Sequence, residues 1–338
     1  MNDAARDPFG ERRGRGWLKT LRVLGCEVRF SCDDKQLFTL VKAAYGGLPA
    51  GATRGEAGGR PFAVEVRRAI DATPMRGAAP PPVRMSAGAG LLCGIVDAAN
   101  YALIDFTQRR ALVSISPAML RFAYHARYEL IEFAVLTLLA RAAPLVPLHA
   151  ACFGWRGRAV LLMGDSGAGK STLCMQALHE QLDFVSEDSV FVTPRRLTAF
   201  GPAAYLHLKS SSLRFLRGTP LAAAARSSPI IRRRSGARKF EMDLRRANLR
   251  IARDPPRIAA VILLAGGRRG TQAKLVPLGR DRLERALREM QPYASGRDEW
   301  PQFCRDLARI PAFELRRGST PAESLELLRE LLVSAGGQ

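Results

Sequence analysis

The chain has 338 residues, of which 47% are apolar and 25% charged, the proportions of a folded globular protein. They exclude collagen-like, disulfide-scaffold and wholly disordered classes, and the length allows one large domain or two ordinary ones. Lys+Arg of 52 against Asp+Glu of 31 gives a formal net charge of +21, and only seven of the basic residues are Lys. An excess so rich in Arg fits a coding bias as well as a surface that attracts nucleotides, acidic peptides or nucleic acid, and charge alone does not choose.

Residues 1–16 are charged and lack an apolar core segment, so they read as a flexible basic arm rather than a signal peptide. An N-terminal α+β module is expected over residues 17–143. It takes a strand at Leu21–Phe30, a helix at Lys35–Tyr45, and Gly/Pro/Ala-rich loops at Gly46–Gly59 and Asp71–Pro82. Strands follow at Leu91–Val96, Tyr101–Asp105 and Ala111–Ile115, then one helix over Ala118–Ala140 with apolar residues at helical spacing. The longest apolar stretch, Leu130–Leu148, is interrupted by Glu132, Arg141, Pro144 and Pro147, too short and too polar to span a bilayer.

A boundary is placed near residue 144, where apolar, β-rich runs begin: Leu148–Phe153, Ala159–Met163, Phe184–Ser186, Ile258–Leu264 and Lys274–Pro277. The last two are expected to form a hairpin through Gly266–Gly270, ahead of helices at Arg280–Met290, Trp300–Ile310 and Thr320–Ala335. In the last of these, Thr320, Pro321 and Glu323 read as an N-cap, a first-turn proline and a capping-box acid. Cys26, Cys32, Cys93, Cys152, Cys174 and Cys304 are scattered without a CxxC pair and read as apolar fillers in a reducing compartment. The expectation is a cytoplasmic protein with no membrane partner.

Residues 164–172 read GDSGAGKST and satisfy G-x-x-x-x-G-K-[ST]. Glycines let the backbone turn so that its N–H groups converge on phosphate oxygens. Lys170 supplies a point charge to the outer phosphates, Ser171 a hydroxyl to the accompanying Mg²⁺, and the helix that starts here its positive end. A random chain of this length and composition gives the pattern on the order of 0.5% of the time. Ala159–Met163 before it and Thr172–His179 after it supply the strand–loop–helix order that the chemistry requires.

Glu187 and Asp188 follow Lys170 by 17 and 18 residues, at the end of an apolar strand run. Two carboxylates there divide the labour, one holding Mg²⁺ and the other accepting a proton from an attacking hydroxyl. His149 stands 21 residues before Lys170; alone on an apolar strand it reads first as a core histidine, and His125, His179 and His207 keep that reading.

The run from His149 through GDSGAGKS to Glu187-Asp188 resembles the catalytic domain of bacterial HPr kinase/phosphorylase, over about residues 145–215. The resemblance implies an α/β fold similar to that of the PEP carboxykinases, occupying residues 144–338, with ATP and Mg²⁺ as cofactors. It implies that Gly164, Asp165, Ser166, Gly167, Ala168, Gly169, Lys170, Ser171 and Thr172 bind the nucleotide phosphates. Ser171 and Asp188 would serve Mg²⁺, Glu187 would stand for the family's catalytic Asp, and His149 would assist at the phosphate. The chain departs from the family at Thr172, where Glu is usual, and at Glu187, one methylene longer than Asp. The family's later glycine-rich signature, linked to its phosphorylase activity, is not found. The narrower likeness is to the HPr-kinase-related group of peptide-tailoring systems, including kinases of lasso-peptide precursors.

Arg226–Arg257 holds eleven basic residues against Glu241, Asp243 and Asp254. Its Ser227–Lys239 stretch reads as a mobile loop: a lid bringing an Arg to the phosphoryl group, a dock for an acidic partner, or a solvated basic surface. Few aromatics interleave, which disfavours nucleic acid. Lys209 is a further candidate phosphate contact. The reading is an ATP-dependent serine kinase whose acceptor is a protein or peptide, either HPr-like or a ribosomal-peptide precursor, recognised partly by the N-terminal module. Alternatives are a nucleotide-binding switch without transfer, or a small-molecule kinase. Oligomeric state is left open, a homo-oligomer included.

Overall fold

The computed structural model describes residues 16–49, 61–70, 74–77, 79–246, 249–266 and 270–334. Nearly all of the expected basic arm, most of the Gly46–Gly59 loop, part of Asp71–Pro82, the centre of the Gly266–Gly270 turn and Ala335 lie outside the described residues. The protein is mixed α/β and divides into two compact units, one of Met1–Gly46 with Arg54–Ala142, the other of Gly47–Thr53 with Ala143–Gln338.

The first unit carries β1 (Trp17–Val23), β2 (Cys26–Cys32), α1 (Lys35–Tyr45), β3 (Phe62–Arg68), β4 (Arg84–Gly88), β5 (Leu91–Ile95), β6 (Tyr101–Asp105) and β7 (Arg110–Ile115). Its strands form one sheet in the order β1-β2-β3-β7-β6-β5-β4. The expected single strand at Leu21–Phe30 is instead a hairpin. Leu24 and Gly25 have φ of 49° and 76°, the paired left-handed geometry whose twist suits a two-residue turn. β3 and β4 are strands that the sequence reading does not include. α1 forms where expected, because Asp34 accepts hydrogen bonds from the Gln36 and Leu37 N–H groups while Leu37, Val41, Ala44 and Tyr45 line one buried stripe.

The helix expected at Ala118–Ala140 is broken into α2 (Pro117–Leu120), α3 (Ala123–His125), a π-helical stretch (Ala126–Glu132) and α4 (Phe133–Ala142). Phe122, at φ −109° and ψ 54°, leaves the helical region. The π winding closes i→i+5 turns, and Arg127 Nη1 donates to Glu132 Oε1 five residues on at 3.0 Å, both side chains being buried.

The second unit begins with β8 (Val146–Leu148), β9 (Ala151–Trp155), β10 (Arg158–Met163), α5 (Lys170–His179), β11 (Asp183–Ser186), β12 (Val190–Thr193) and β13 (Thr198–Phe200). Next come β14 (Tyr205–Leu208), a 3-10 stretch (Ser210–Leu216), α6 (Pro220–Arg226), β15 (Ile230–Arg232), β16 (Arg238–Asp243) and β17 (Arg257–Leu264). The chain continues through β18 (Lys274–Pro277), α7 (Arg280–Met290), α8 (Pro292–Ser295), α9 (Trp300–Leu307), β19 (Ala312–Arg316) and α10 (Pro321–Ser334). The main sheet runs β11-β9-β10-β17-β13-β12-β8, with β19 beside β17 and β18 beside β19, and β14-β16-β15 form a separate sheet.

Alternate residues of β10 enter two cores. Val160 and Leu162 pack with Leu173 of α5 and Leu325, Leu328 and Leu332 of α10. Ala159, Leu161 and Met163 pack with Leu283 and Leu287 of α7 and Phe303 and Leu307 of α9. Helices on both faces explain why β10 and β17 read as continuous apolar runs, since a parallel pair covered on both sides has no solvent face.

Three expectations are corrected here. Leu148–Phe153 is not one strand: β8 pairs with β12 and β9 with β10, so the chain changes neighbours at His149 and Ala150. β17 and β18 do not form a hairpin, because β19 lies between them, parallel to β17 and antiparallel to β18. Ser227–Lys239 is not an unstructured loop: β15 and β16 form an antiparallel hairpin, closed by the Arg233 N–H donating to Ala237 O at 2.9 Å. Phe240 and Met242 alternate along β16 and turn into the core, which gives that basic segment its strand character.

Candidate functional site

The glycine loop leaves the C-terminal end of β10, the end at which α/β sheets present ligand sites. Gly164, Gly167 and Gly169 have φ of 152°, 87° and 108°. Gly169 is the N-cap of α5, in a conformation that an L side chain resists, so the helix opens directly out of the turn. Asp165, Ser166 and Gly167 are exposed, Ala168 and Lys170 are buried, and Ser171 and Thr172 lie between. Arg317, just past β19, donates from Nη1 to Ala168 O at 2.7 Å and braces the loop from the side. Thr172 Oγ1 lies 3.0 Å from Ser212 Oγ of the 3-10 stretch.

Lys170 is the first residue of α5, and its ammonium turns back to donate to Gly164 O at 2.6 Å. Burial pulls its pKa below the ordinary lysine value, opposed by Asp188 and Asp165. Nζ also lies 3.4 Å from His149 Nε2, and His149 Nδ1 lies 3.3 Å from Asp188 Oδ1. An imidazole carrying its proton on Nδ1 satisfies both neighbours, accepting from the lysine and donating to the carboxylate. His149 is set in the break between β8 and β9. Buried Gln291 fixes it there, accepting from the His149 N–H at 2.7 Å and donating to its carbonyl at 3.2 Å. Asp188, about a third exposed, also meets Arg233 of the hairpin turn at 3.6 Å.

Glu187 behaves differently from its neighbour. It is 4% exposed, and its Oε1 accepts from the His207 N–H at 2.8 Å and from His207 Nδ1 at 2.7 Å. Burial pushes the carboxyl pKa up, but the His207 hydrogen bond and charge outweigh it, with smaller help from Lys239 and Ser171, and hold it below the usual value. Oε2 is buried and meets no donor in good hydrogen-bond geometry, although the Ser171 hydroxyl stands near enough to the carboxyl to favour its charged form. His207 Nε2 lies 3.1 Å from Glu241 Oε1, so the imidazole is sandwiched between carboxylates. Burial alone would lower the His207 pKa; its two acidic partners raise it.

The structure thus brings Lys170, His149 and Asp188 into direct contact and sets Glu187 one residue away. Lys209 is exposed at the end of β14, beside the 3-10 stretch. His125 pairs with Glu129 at 2.9 Å in the first unit, and His179 is exposed in the last turn of α5. Exposed His179 departs from the reading as a core histidine, whereas His207 keeps it, buried between two partners. No local pattern marks it, because its acidic partners lie 20 and 34 residues away along the chain. Gln291, 142 residues from His149, carries no sequence signal at all.

The Ser171 hydroxyl and the Asp188 carboxylate are hard oxygen donors of the kind Mg²⁺ takes. Among the described residues no group of three or more His, Cys, Asp and Glu is arranged to cage a metal. Such a donor set fits an ion that completes its shell with water and phosphate oxygens. A separate cleft of about 730 Å³ is lined by Trp155, Asp183, Arg250 and Pro256. These residues stand at the opposite ends of the strands from the glycine loop, so the cleft is not part of this site. All six cysteines are free, and no described helix is long and apolar enough to cross a membrane. No protein-family model matches the chain, and the search of curated proteins finds no match to it.

Proposed function

We propose that the second unit is an ATP-dependent kinase, of the kind that the resemblance to HPr kinase implies, which phosphorylates a hydroxyl of a protein or peptide acceptor. The observation that carries this reading is the contact chain from Lys170 through His149 to Asp188, at the mouth of a glycine turn that caps α5. Three residues spread over 39 positions of sequence meet where the phosphates of a nucleotide would lie.

The turn's amides and the N-terminus of α5 receive phosphate oxygens, and the Lys170 ammonium neutralises the outermost ones. Ser171 and Asp188 would hold Mg²⁺, which supplies charge neutralisation at the β- and γ-phosphates. Glu187 orients the acceptor hydroxyl and takes its proton as the new oxygen–phosphorus bond forms, while the bond to ADP breaks. His149 keeps Asp188 and Lys170 at a fixed spacing, and Arg233 adds positive charge on the open side.

The test is incubation with γ-labelled ATP and candidate acceptors, an HPr-like protein and a ribosomal-peptide precursor among them, with ATP affinity measured in parallel. Label is expected on an acceptor serine. Lys170→Ala is expected to lose ATP binding, and wild-type affinity in that variant would overturn the loop assignment. Glu187→Gln is expected to keep ATP binding and lose transfer; unchanged turnover would place the base elsewhere.

A further inference from the structure

The small sheet turns a polar face toward the acidic pair. His207 on β14 and Glu241 on β16 are direct register partners, and Lys239 shares Glu241's face two residues earlier. Both neighbours of the His207 ring are carboxylate oxygens, Glu187 Oε1 at 2.7 Å from Nδ1 and Glu241 Oε1 at 3.1 Å from Nε2. Two donors from one residue converge on Glu187 Oε1, at 2.8 and 2.7 Å, and leave Oε2 buried with no donor in good hydrogen-bond geometry. A freely turning carboxyl would exchange its two oxygens; this one is pinned by one of them.

We propose that His207, clamped between Glu187 and Glu241, is a positioning residue whose backbone N–H and Nδ1 hold Glu187 by Oε1 and so present Oε2 to the acceptor hydroxyl. This rests on the reading of Glu187 as the proton acceptor. Glu241 steadies the far side of the ring, so the hairpin that carries Lys239 and Arg233 is tied mechanically to the base. Because the reacting atoms must be held to within a fraction of an ångström, a loosened base loses rate without losing nucleotide.

The test compares His207→Ala, His207→Asn and Glu241→Gln in the full chain, with ATP affinity, kcat and acceptor KM measured on each and folding followed by thermal unfolding. His207→Ala is expected to lose about 100-fold in kcat with ATP affinity within about threefold of wild type. His207→Asn, whose amide still donates to Oε1, is expected to recover about tenfold of that loss. Wild-type kcat in His207→Ala would overturn the proposal. So would equal loss of kcat and ATP affinity in both His207 variants, which is the mark of a purely structural role. Nitrogen NMR of ring-labelled histidine gives a second arm that does not depend on activity: His207 Nδ1 is expected to carry a hydrogen-bonded proton, and an unprotonated Nδ1 overturns the clamp. Should Glu187→Gln retain transfer, the base assignment falls, while the NMR arm still decides whether the clamp exists.

Discussion

Gly169→Ala tests whether the glycine turn is a ligand site or only a turn. Gly169 sits at φ 108° and ψ 9° as the N-cap of α5, and an added Cβ would lie 3.3 Å from Arg317 Nη1, which has to shift by only a few tenths of an ångström and can keep its hydrogen bond to Ala168 O. Packing therefore gives way, and the cost is backbone strain of about 2 kcal/mol. In a unit of this size that lowers the melting temperature by roughly 4–8 °C. Gly218 is the matched control: its φ is 81° and nothing lies within 4 Å of an added Cβ, so Gly218→Ala carries similar strain away from the loop. Melting curves and ATP calorimetry on both variants separate strain from function. Both should melt earlier, but only Gly169→Ala should also lose at least tenfold in ATP affinity, equivalent to about 1.4 kcal/mol. If Gly169→Ala melts as Gly218→Ala does and still binds ATP like wild type, the turn's amides do not cradle a phosphate.

Two further outcomes concern stability. Glu187 has a lowered carboxyl pKa, so its contribution is present above the ordinary value of 4.5 and is lost as pH falls through its folded value. His207 has a raised pKa, so its contribution is full below the ordinary 6.5 and is lost as pH rises through its folded value. The stability difference between wild type and His207→Asn, measured by urea unfolding across pH, should therefore be largest between those two values and shrink on either side; a difference that is flat with pH would refute the charged pair. In the first unit, Glu132→Ala should destabilise by about 3–5 kcal/mol, because it takes the carboxylate away from a buried guanidinium. The double change Arg127→Met, Glu132→Leu should restore much of that loss by urea unfolding, and equal destabilisation in both variants would argue against the ion pair as the cause.

What was legible in the sequence was written locally. The glycine turn was readable because glycines at fixed offsets encode a left-handed backbone, and a helix start follows directly, all within nine residues. α1 was readable because its N-cap Asp34 and a buried stripe at helical spacing lie within and just before eleven residues. The Leu24-Gly25 hairpin was written as locally but was hidden inside an apolar run. Tertiary structure alone decided which distant segments meet. It put β19 between β17 and β18, set His207 opposite Glu241, and carried Gln291 across 142 residues to fix His149. The reason is that strand order and register are settled by how whole faces bury against one another, a sum over many weak contacts that no short window contains. Sequence therefore supplied the glycine turn and its lysine, and the packing of two sheets decided that His207 holds Glu187 by Oε1 rather than Oε2.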